Sequence, residues 1–157
     1  MKNWNSIWML ALFIAICFAV AGAGSGFTSI AVIEWYPTLR KPSWNPPAWI
    51  FGPVWSVLYL MMAVAAWLVW RRGGARAGAL GLFAAQLVLN GLWSALFFGL
   101  RNPLAGLIDI FPLWAVILAT MVSFWRISST AGALLLPYWL WVTFATALNF
   151  AIWSLNR

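Results

Sequence analysis

The composition of this chain is that of a membrane protein. Of its 157 residues, 65% are hydrophobic and 7% are charged, whereas about a quarter of the residues in a soluble domain are charged. Because so few polar residues could not cover a water-soluble globule, lipid must be the solvent for most of the surface. We therefore predict one multi-pass integral membrane domain over residues 1–157, surrounded by membrane lipid.

The charge and the rare residue types exclude several functions. A net charge of +7 in a soluble protein would suggest nucleic acid, but here the basic residues lie in short turns between apolar runs, as topology signals do. We predict no nucleic-acid partner. With no histidine and a single cysteine, Cys17, the usual metal and haem-ligand sets and Ser–His–Asp catalysis are missing. We predict no metal and no cofactor.

Five apolar runs are each long enough to cross hydrocarbon, which takes about 20 residues. They cover approximately 7–33, 48–70, 77–100, 104–125 and 131–155. The first run could imitate a signal peptide, with an A-x-A site at 19–21, but its apolar stretch continues through 22–26, which favours a retained helix. The glycines of that stretch allow either a neighbouring helix or a flat ligand to come close. The predicted fold is an all-α bundle of five transmembrane helices.

The basic residues predict the orientation only weakly. An up-down bundle places the N-terminus and the second and fourth connections on one side, with five basic residues against four on the other. The first set is Lys2, Arg71, Arg72, Arg76 and Arg126, and the second is Arg40, Lys41, Arg101 and Arg157. This small excess favours a cytoplasmic N-terminus.

The connection between the first two runs, residues 34–47, is the most unusual stretch. It contains Glu34, one of two acidic residues, and half of the eight prolines. Each proline removes a backbone donor and biases the preceding residue away from the helix. We predict a structured loop over the end of the bundle. Pro46 and Pro47 are expected in the first turn of the second helix, where a missing donor costs nothing.

Polar residues share one face of the third run. Gln86 and Asn90 are four residues apart, and Trp93 and Phe97 continue their face. Because polar side chains in a membrane usually face the bundle interior, Asn90 is expected either to join two helices by a hydrogen bond or to donate to a ligand.

Two further polar residues lie in later runs. Asp109, in the fourth run, could contact a proton or a cation, or could form an ion pair with Arg101 or a loop arginine. Asn149, in the fifth run, is expected to join helices.

Three tryptophans lie deep within the runs. Trp55 shares a helix face with Tyr59, Trp93 belongs to the Asn90 face, and Trp141 shares a face with the small Ala145. An indole next to a small side chain leaves a slot for a flat apolar ligand. Packing between helices is the alternative for each of the three.

The motifs of the chain resemble those of the TspO/MBR family, the tryptophan-rich sensory proteins and translocator proteins. The matching segments are Trp35-Tyr36, Lys41 to Pro47, Gly52 to Trp55 with Leu58-Tyr59, Gln86-Leu87 with Asn90, Trp93 and Phe97 to Gly99, Asp109, and Pro137-Tyr138 with Trp141, Phe144 to Thr146 and Leu148-Asn149. They cover nearly the whole chain, and their combination is specific. One departure concerns the C-terminal sterol motif, which has Phe150 in place of its tyrosine.

The resemblance implies a five-helix bundle, often a homodimer, that binds porphyrins such as protoporphyrin IX or haem in a pocket closed by the first loop. Because the motifs are similar to those of the bacterial branch of the family, it also implies a bacterial cell membrane. By matching positions, it implies pocket roles for Trp35, Tyr36, Trp55, Asn90, Trp93, Trp141 and Ala145. Trp44, Tyr59 and Phe97 complete the ligand-binding residues that we predict.

We predict a membrane sensor or carrier for porphyrins or other flat hydrophobic ligands. One alternative is light- and oxygen-dependent porphyrin degradation, for which the resemblance implicates Trp35 and Trp141. No general acid–base pair is visible for other chemistry. A transporter of small hydrophobic ligands is a second alternative, and a structural interaction protein that uses the Gly-rich face of the first helix is a third.

Overall fold

The computed structural model describes residues 2–73 and 76–157. In this part of the chain there are five long helices and no β-strand. They are α1 (Lys2–Glu34), α2 (Phe51–Arg71), α3 (Ala77–Ser94), α4 (Pro103–Ile127) and α5 (Ser129–Leu155). A π-helical turn, Ala95–Gly99, prolongs α3. Five helices of this length and hydropathy can cross a membrane, which confirms the predicted five-helix membrane bundle.

Helix ends follow from local capping. Asn102 precedes α4, and its side chain accepts hydrogen bonds from the backbone N–H groups of Leu104 and Ala105 at 3.0 and 3.1 Å, with Pro103 in the first turn. Ser128 alone separates α4 from α5, and its hydroxyl caps α5. Both helices therefore extend beyond the predicted 104–125 and 131–155.

The prediction for Pro46 and Pro47 is wrong. Both precede the helical turn Ala48–Ile50, and the backbone of Pro47 is extended, with φ −58° and ψ 141°. Pro47 contributes its carbonyl instead, which accepts a hydrogen bond from the N–H of Ile50 at 3.1 Å. Pro53 is tolerated at the third position of α2, where the missing N–H is among the unpaired donors of a helix start.

The two halves of the bundle differ in how they are filled. Toward the end that carries Arg71 and Arg126, fully buried apolar side chains such as Val69, Phe124 and Leu135 form a close-packed core. Close packing here reaches the backbone: a Cβ on Gly132 would lie 2.8 Å from the Cα of Trp125. The other half, next to the 34–47 loop, is partly hollow.

Two polar side chains resolve the alternatives left by the sequence. Asn149 accepts a hydrogen bond from the Trp93 indole at 3.1 Å and donates to the carbonyl of Pro103 at 2.8 Å, so it joins α3, α4 and α5 as expected. The predicted pairing of Asp109 with Arg101 is wrong, because Arg101 lies in the exposed turn and pairs with Glu34 at 2.9 Å. Asp109 is 5% exposed, and its Oδ2 has no hydrogen-bond partner among the described residues.

Candidate ligand-binding cavity

The hollow half of the bundle encloses a cavity of about 720 Å³. Its walls come from α1, α2, α5 and α3 with the π-turn, and Tyr36 of the 34–47 loop lies at its end. Helix α4 contributes no side chain to the wall, because it packs behind α3 and α5. The volume falls within the roughly 300–1,000 Å³ of small-molecule sites, which are mainly apolar with a few placed polar groups.

Most of the predicted ligand-binding residues meet at this cavity. Those that line it are Tyr36, Trp55, Tyr59, Asn90, Trp93, Phe97, Trp141 and Ala145. Trp35 and Trp44 are not in the wall: the Trp35 ring lies 5.6 Å from Phe97, and the Trp44 ring lies 5.8 Å from Phe144. Trp35 therefore packs against a wall residue, whereas Trp44 packs against Phe144, which is outside the wall. Contact between any of the ten residues and a ligand stays a prediction.

The wall supplied by α1 is the part that the site prediction missed. Gly22, Ser25, Thr28 and Ser29 line the cavity. The sequence signal was the Gly-rich stretch 22–26, for which helix packing and ligand approach were both open. Both occur. A Cβ on Gly24 would lie 3.1 Å from the Ser94 hydroxyl, whereas a Cβ on Gly22 would meet nothing within 4 Å.

A chain of buried hydrogen bonds forms the polar floor of the cavity. The Tyr59 hydroxyl donates to Asn90 Oδ1 at 2.6 Å, and Asn90 Nδ2 donates to the Tyr138 hydroxyl at 2.9 Å. Tyr138 in turn donates to Gln86 Oε1 at 2.8 Å. Only Tyr59 and Asn90 reach the cavity; Tyr138 and Gln86 lie beneath it, 0% and 1% exposed. The chain ties α2, α3 and α5 together, which confirms the helix-joining interpretation of Asn90.

Aromatic rings supply the flat surfaces of the cavity. Trp93 and Phe97 stack with centroids 5.1 Å apart and an interplanar angle of 20°. Phe97 lies in the π-turn, which is closed by a hydrogen bond from the N–H of Leu100 to the carbonyl of Ala95 at 2.8 Å. Such turns insert an extra residue into a helix and are frequent at functional sites. Opposite, Trp141 lies 5.9 Å from Phe51.

The 34–47 loop is held in place by its own polar groups. The Tyr36 hydroxyl donates to Asn45 Oδ1 at 2.7 Å, and the Lys41 ammonium donates to the carbonyls of Tyr36 and Leu39 at 2.7 and 2.9 Å. Burial raises the pKa of Tyr36 to about 12, although the hydrogen bond to Asn45 lowers it. Tyr36 is therefore protonated at neutral pH and keeps the proton that this bond requires.

A two-way contact ties the same loop to the end of α5. The backbone N–H of Arg40 donates to Asn156 Oδ1 at 2.9 Å, and Asn156 Nδ2 donates to the carbonyl of Arg40 at 2.9 Å. Together with the packing of Tyr36 on Phe97 and Phe98, this contact holds the loop over the cavity.

Replacing Asn156 with alanine should loosen the loop without unfolding the bundle, because both hydrogen bonds to Arg40 are lost at an exposed site. Two such bonds are worth roughly 1–3 kcal/mol. We therefore expect amide hydrogen exchange over residues 36–45 to accelerate by about tenfold, measured by mass spectrometry. Ser154→Ala, near the same helix end, is the matched control. Equal exchange in all three proteins would show that Asn156 does not hold the loop.

The sequence of this chain matches one protein family over most of its length. The model of the TspO/MBR family matches residues 13–154. The chain belongs to this family. Its TspO/MBR relatives include the "Tryptophan-rich protein TspO" of Chlorobaculum tepidum, which is 51% identical over 97% of this chain and 98% of the relative.

More distant TspO/MBR members are also matched over most of their length. The "Tryptophan-rich sensory protein" of Cereibacter sphaeroides is 40% identical to this chain, over 97% of this chain and 94% of that protein. The human "Translocator protein" is 41% identical to this chain, over 85% of this chain and 82% of that protein. This TspO/MBR chain is thus an integral, multi-pass membrane protein.

Proposed function

We propose that this protein binds porphyrins, as a membrane sensor or carrier of tetrapyrroles. The observation that carries the proposal is the cavity itself: about 720 Å³, between stacked Trp93–Phe97 on one side and Trp141 on another. Flat conjugated rings bind well against indole and phenyl faces, because large areas are buried with favourable stacking. The small side chains of α1 that line the cavity, such as Gly22 and Ser25, leave more of its volume open than large side chains would.

The polar groups suggest how such a ligand would lie. Both polar atoms of the Asn90 amide already have partners in Tyr59 and Tyr138, so we assign Asn90 the role of fixing the floor. The ionised propionates of a porphyrin would then remain at the loop end. Lys41 uses two of its three donors on loop carbonyls. The third donor, and the exposed Arg40 beside it, are available for a carboxylate.

The test is titration of the detergent-solubilised protein with protoporphyrin IX in the dark, followed by illumination of the same sample in air. We expect saturable quenching of tryptophan fluorescence and, in the light, an unchanged porphyrin spectrum. Absence of saturable quenching would refute porphyrin binding and leave the fold and the family intact. The homodimer and the bacterial cell membrane stay predictions.

The same illumination tests the second candidate function, photo-oxidative porphyrin degradation. One observation favours it: the indole of Trp141 lines the cavity, where it would face a bound, excited porphyrin and oxygen. A new pigment that forms in the light, and that is lost in Trp141→Phe, would support turnover. Trp35→Phe tests whether the other indole takes part. Because Trp35 packs against Phe97 and does not line the cavity, we expect this variant to form the pigment as the wild type does.

A further inference from the structure

A second concave site lies outside the bundle, between α3 and α4, near the end opposite the 34–47 loop. This groove has a volume of about 520 Å³. Its floor consists of small side chains spaced four residues apart along α4, and apolar side chains form its flanks. The floor is Ala115, Ala119 and Ser123, and the flanks include Leu82, Leu118 and Val122. Arg126 closes one end.

The end of the bundle that carries Arg126 is strongly basic and has no internal counterion. Because α2, α3 and α4 alternate in direction, four arginines lie there: Arg71, Arg72, Arg76 and Arg126. Of the two acidic residues in the chain, Glu34 pairs with Arg101 at the opposite end. Asp109 lies 17 residues before Arg126 on α4, about 25 Å along the helix axis.

Arg76 adds to the positive charge of this end of the bundle. It precedes the first residue of α3, at the same end of the bundle as Arg126. Its Nε is buried, yet it has no hydrogen-bond partner among the described residues.

We propose that the α3/α4 groove binds an anionic phospholipid, with one acyl chain in the groove and the phosphate at Arg126. An acyl chain matches a shallow apolar groove that runs along a transmembrane helix. A guanidinium at the membrane interface matches a phosphate by paired, charge-assisted hydrogen bonds. The uncompensated arginines nearby add attraction for an anionic headgroup rather than a zwitterionic one.

A second copy of the chain is the main rival occupant, because a ladder of small residues also suits close helix packing. Charge argues against it. Two copies inserted in the same orientation would bring their arginine-rich ends side by side, and neither copy has a carboxylate there. A lipid phosphate removes this repulsion, whereas a second copy adds to it.

Native mass spectrometry of the full chain in detergent tests the proposal, with equimolar phosphatidylglycerol and phosphatidylcholine of identical acyl chains. We expect the wild type to retain phosphatidylglycerol about fivefold more than phosphatidylcholine, which corresponds to one arginine–headgroup contact. Arg126→Gln should clearly lower this ratio, and the neighbouring arginines should account for the preference that remains. Ala119→Phe should lower retention of both lipids, because it fills the groove and leaves the arginine in place.

Arg157→Gln is the matched control, because Arg157 is an exposed arginine at the opposite end, over the Trp153 ring. Its lipid ratio should equal that of the wild type. A ratio that falls equally in this control would overturn the proposal in favour of non-specific charge. An unchanged lipid ratio in Arg126→Gln would also overturn the proposal. The same holds if the wild type is a dimer and Ala119→Phe converts it to a monomer without changing the lipid ratio. Arg126 is exposed, so its variant carries the test even if Ala119→Phe does not fold.

Discussion

Replacing Trp141 with alanine should raise the Kd for protoporphyrin IX by roughly 30-fold. Large aromatic side chains at the centre of a binding site commonly contribute about 2 kcal/mol or more, and about 1.4 kcal/mol corresponds to a factor of ten in Kd. Trp141 lines the cavity, and its ring is positioned by Phe51 and Phe144 at 5.9 and 5.5 Å. The loss therefore concerns a fixed surface rather than a mobile side chain. Dark fluorescence titration measures it.

Two further variants make this result specific to the cavity. Trp55→Ala should weaken binding in the same way, because Trp55 lines the cavity beside Tyr59. Trp125→Ala should not, because Trp125 is 49% exposed and does not line the cavity. If both cavity variants bind with the affinity of the wild type, the porphyrin does not occupy this site.

Replacing Asn90 with alanine should destabilise the bundle by about 2 kcal/mol. The substitution leaves the Tyr59 hydroxyl without its acceptor and the Tyr138 hydroxyl without one of its partners, and an unsatisfied buried polar group costs roughly 1–3 kcal/mol. Thermal unfolding in detergent should show a clear fall in the midpoint. Asn5→Ala is the control, because Asn5 is exposed on α1.

We attribute this loss of stability to the broken hydrogen-bond chain rather than to the lost volume of the asparagine side chain. In a Tyr138→Phe background, Asn90→Ala should therefore cost less than in the wild type, because one of its partners is already absent. Equal costs in the two backgrounds would attribute the destabilisation to the cavity left by the asparagine side chain instead.

The helices and much of the site could be predicted from the sequence for one physical reason. In a membrane, length and hydropathy identify a spanning helix, and polar or small residues within it mark its interior face. Gln86, Asn90 and Trp93 share a face because of helical periodicity, and the structure places the last two in the cavity wall.

The rest depends on partners that are distant in sequence. Nothing in the local pattern shows that Asn90 bonds to Tyr138, or that Arg101 turns toward Glu34 rather than Asp109. The π-turn at Ala95–Gly99 is also invisible to a periodicity of 3.6 residues, because it breaks that period. Pro47 was misplaced because a proline suits both the first helical turn and the extended residue just before it.

Helix α1 is the least buried of the five. In its most apolar stretch, 17% of the residues are buried by the protein, whereas the corresponding share is 28–44% in the other four helices. It is also the helix that supplies the small-residue wall of the cavity. Lipid chains therefore press on the outer side of the same wall that a ligand would touch on its inner side. Lateral pressure and acyl-chain order in the bilayer thus contribute to the free energy of opening this cavity. We therefore expect the affinity of the cavity for a ligand to differ between detergent and a membrane.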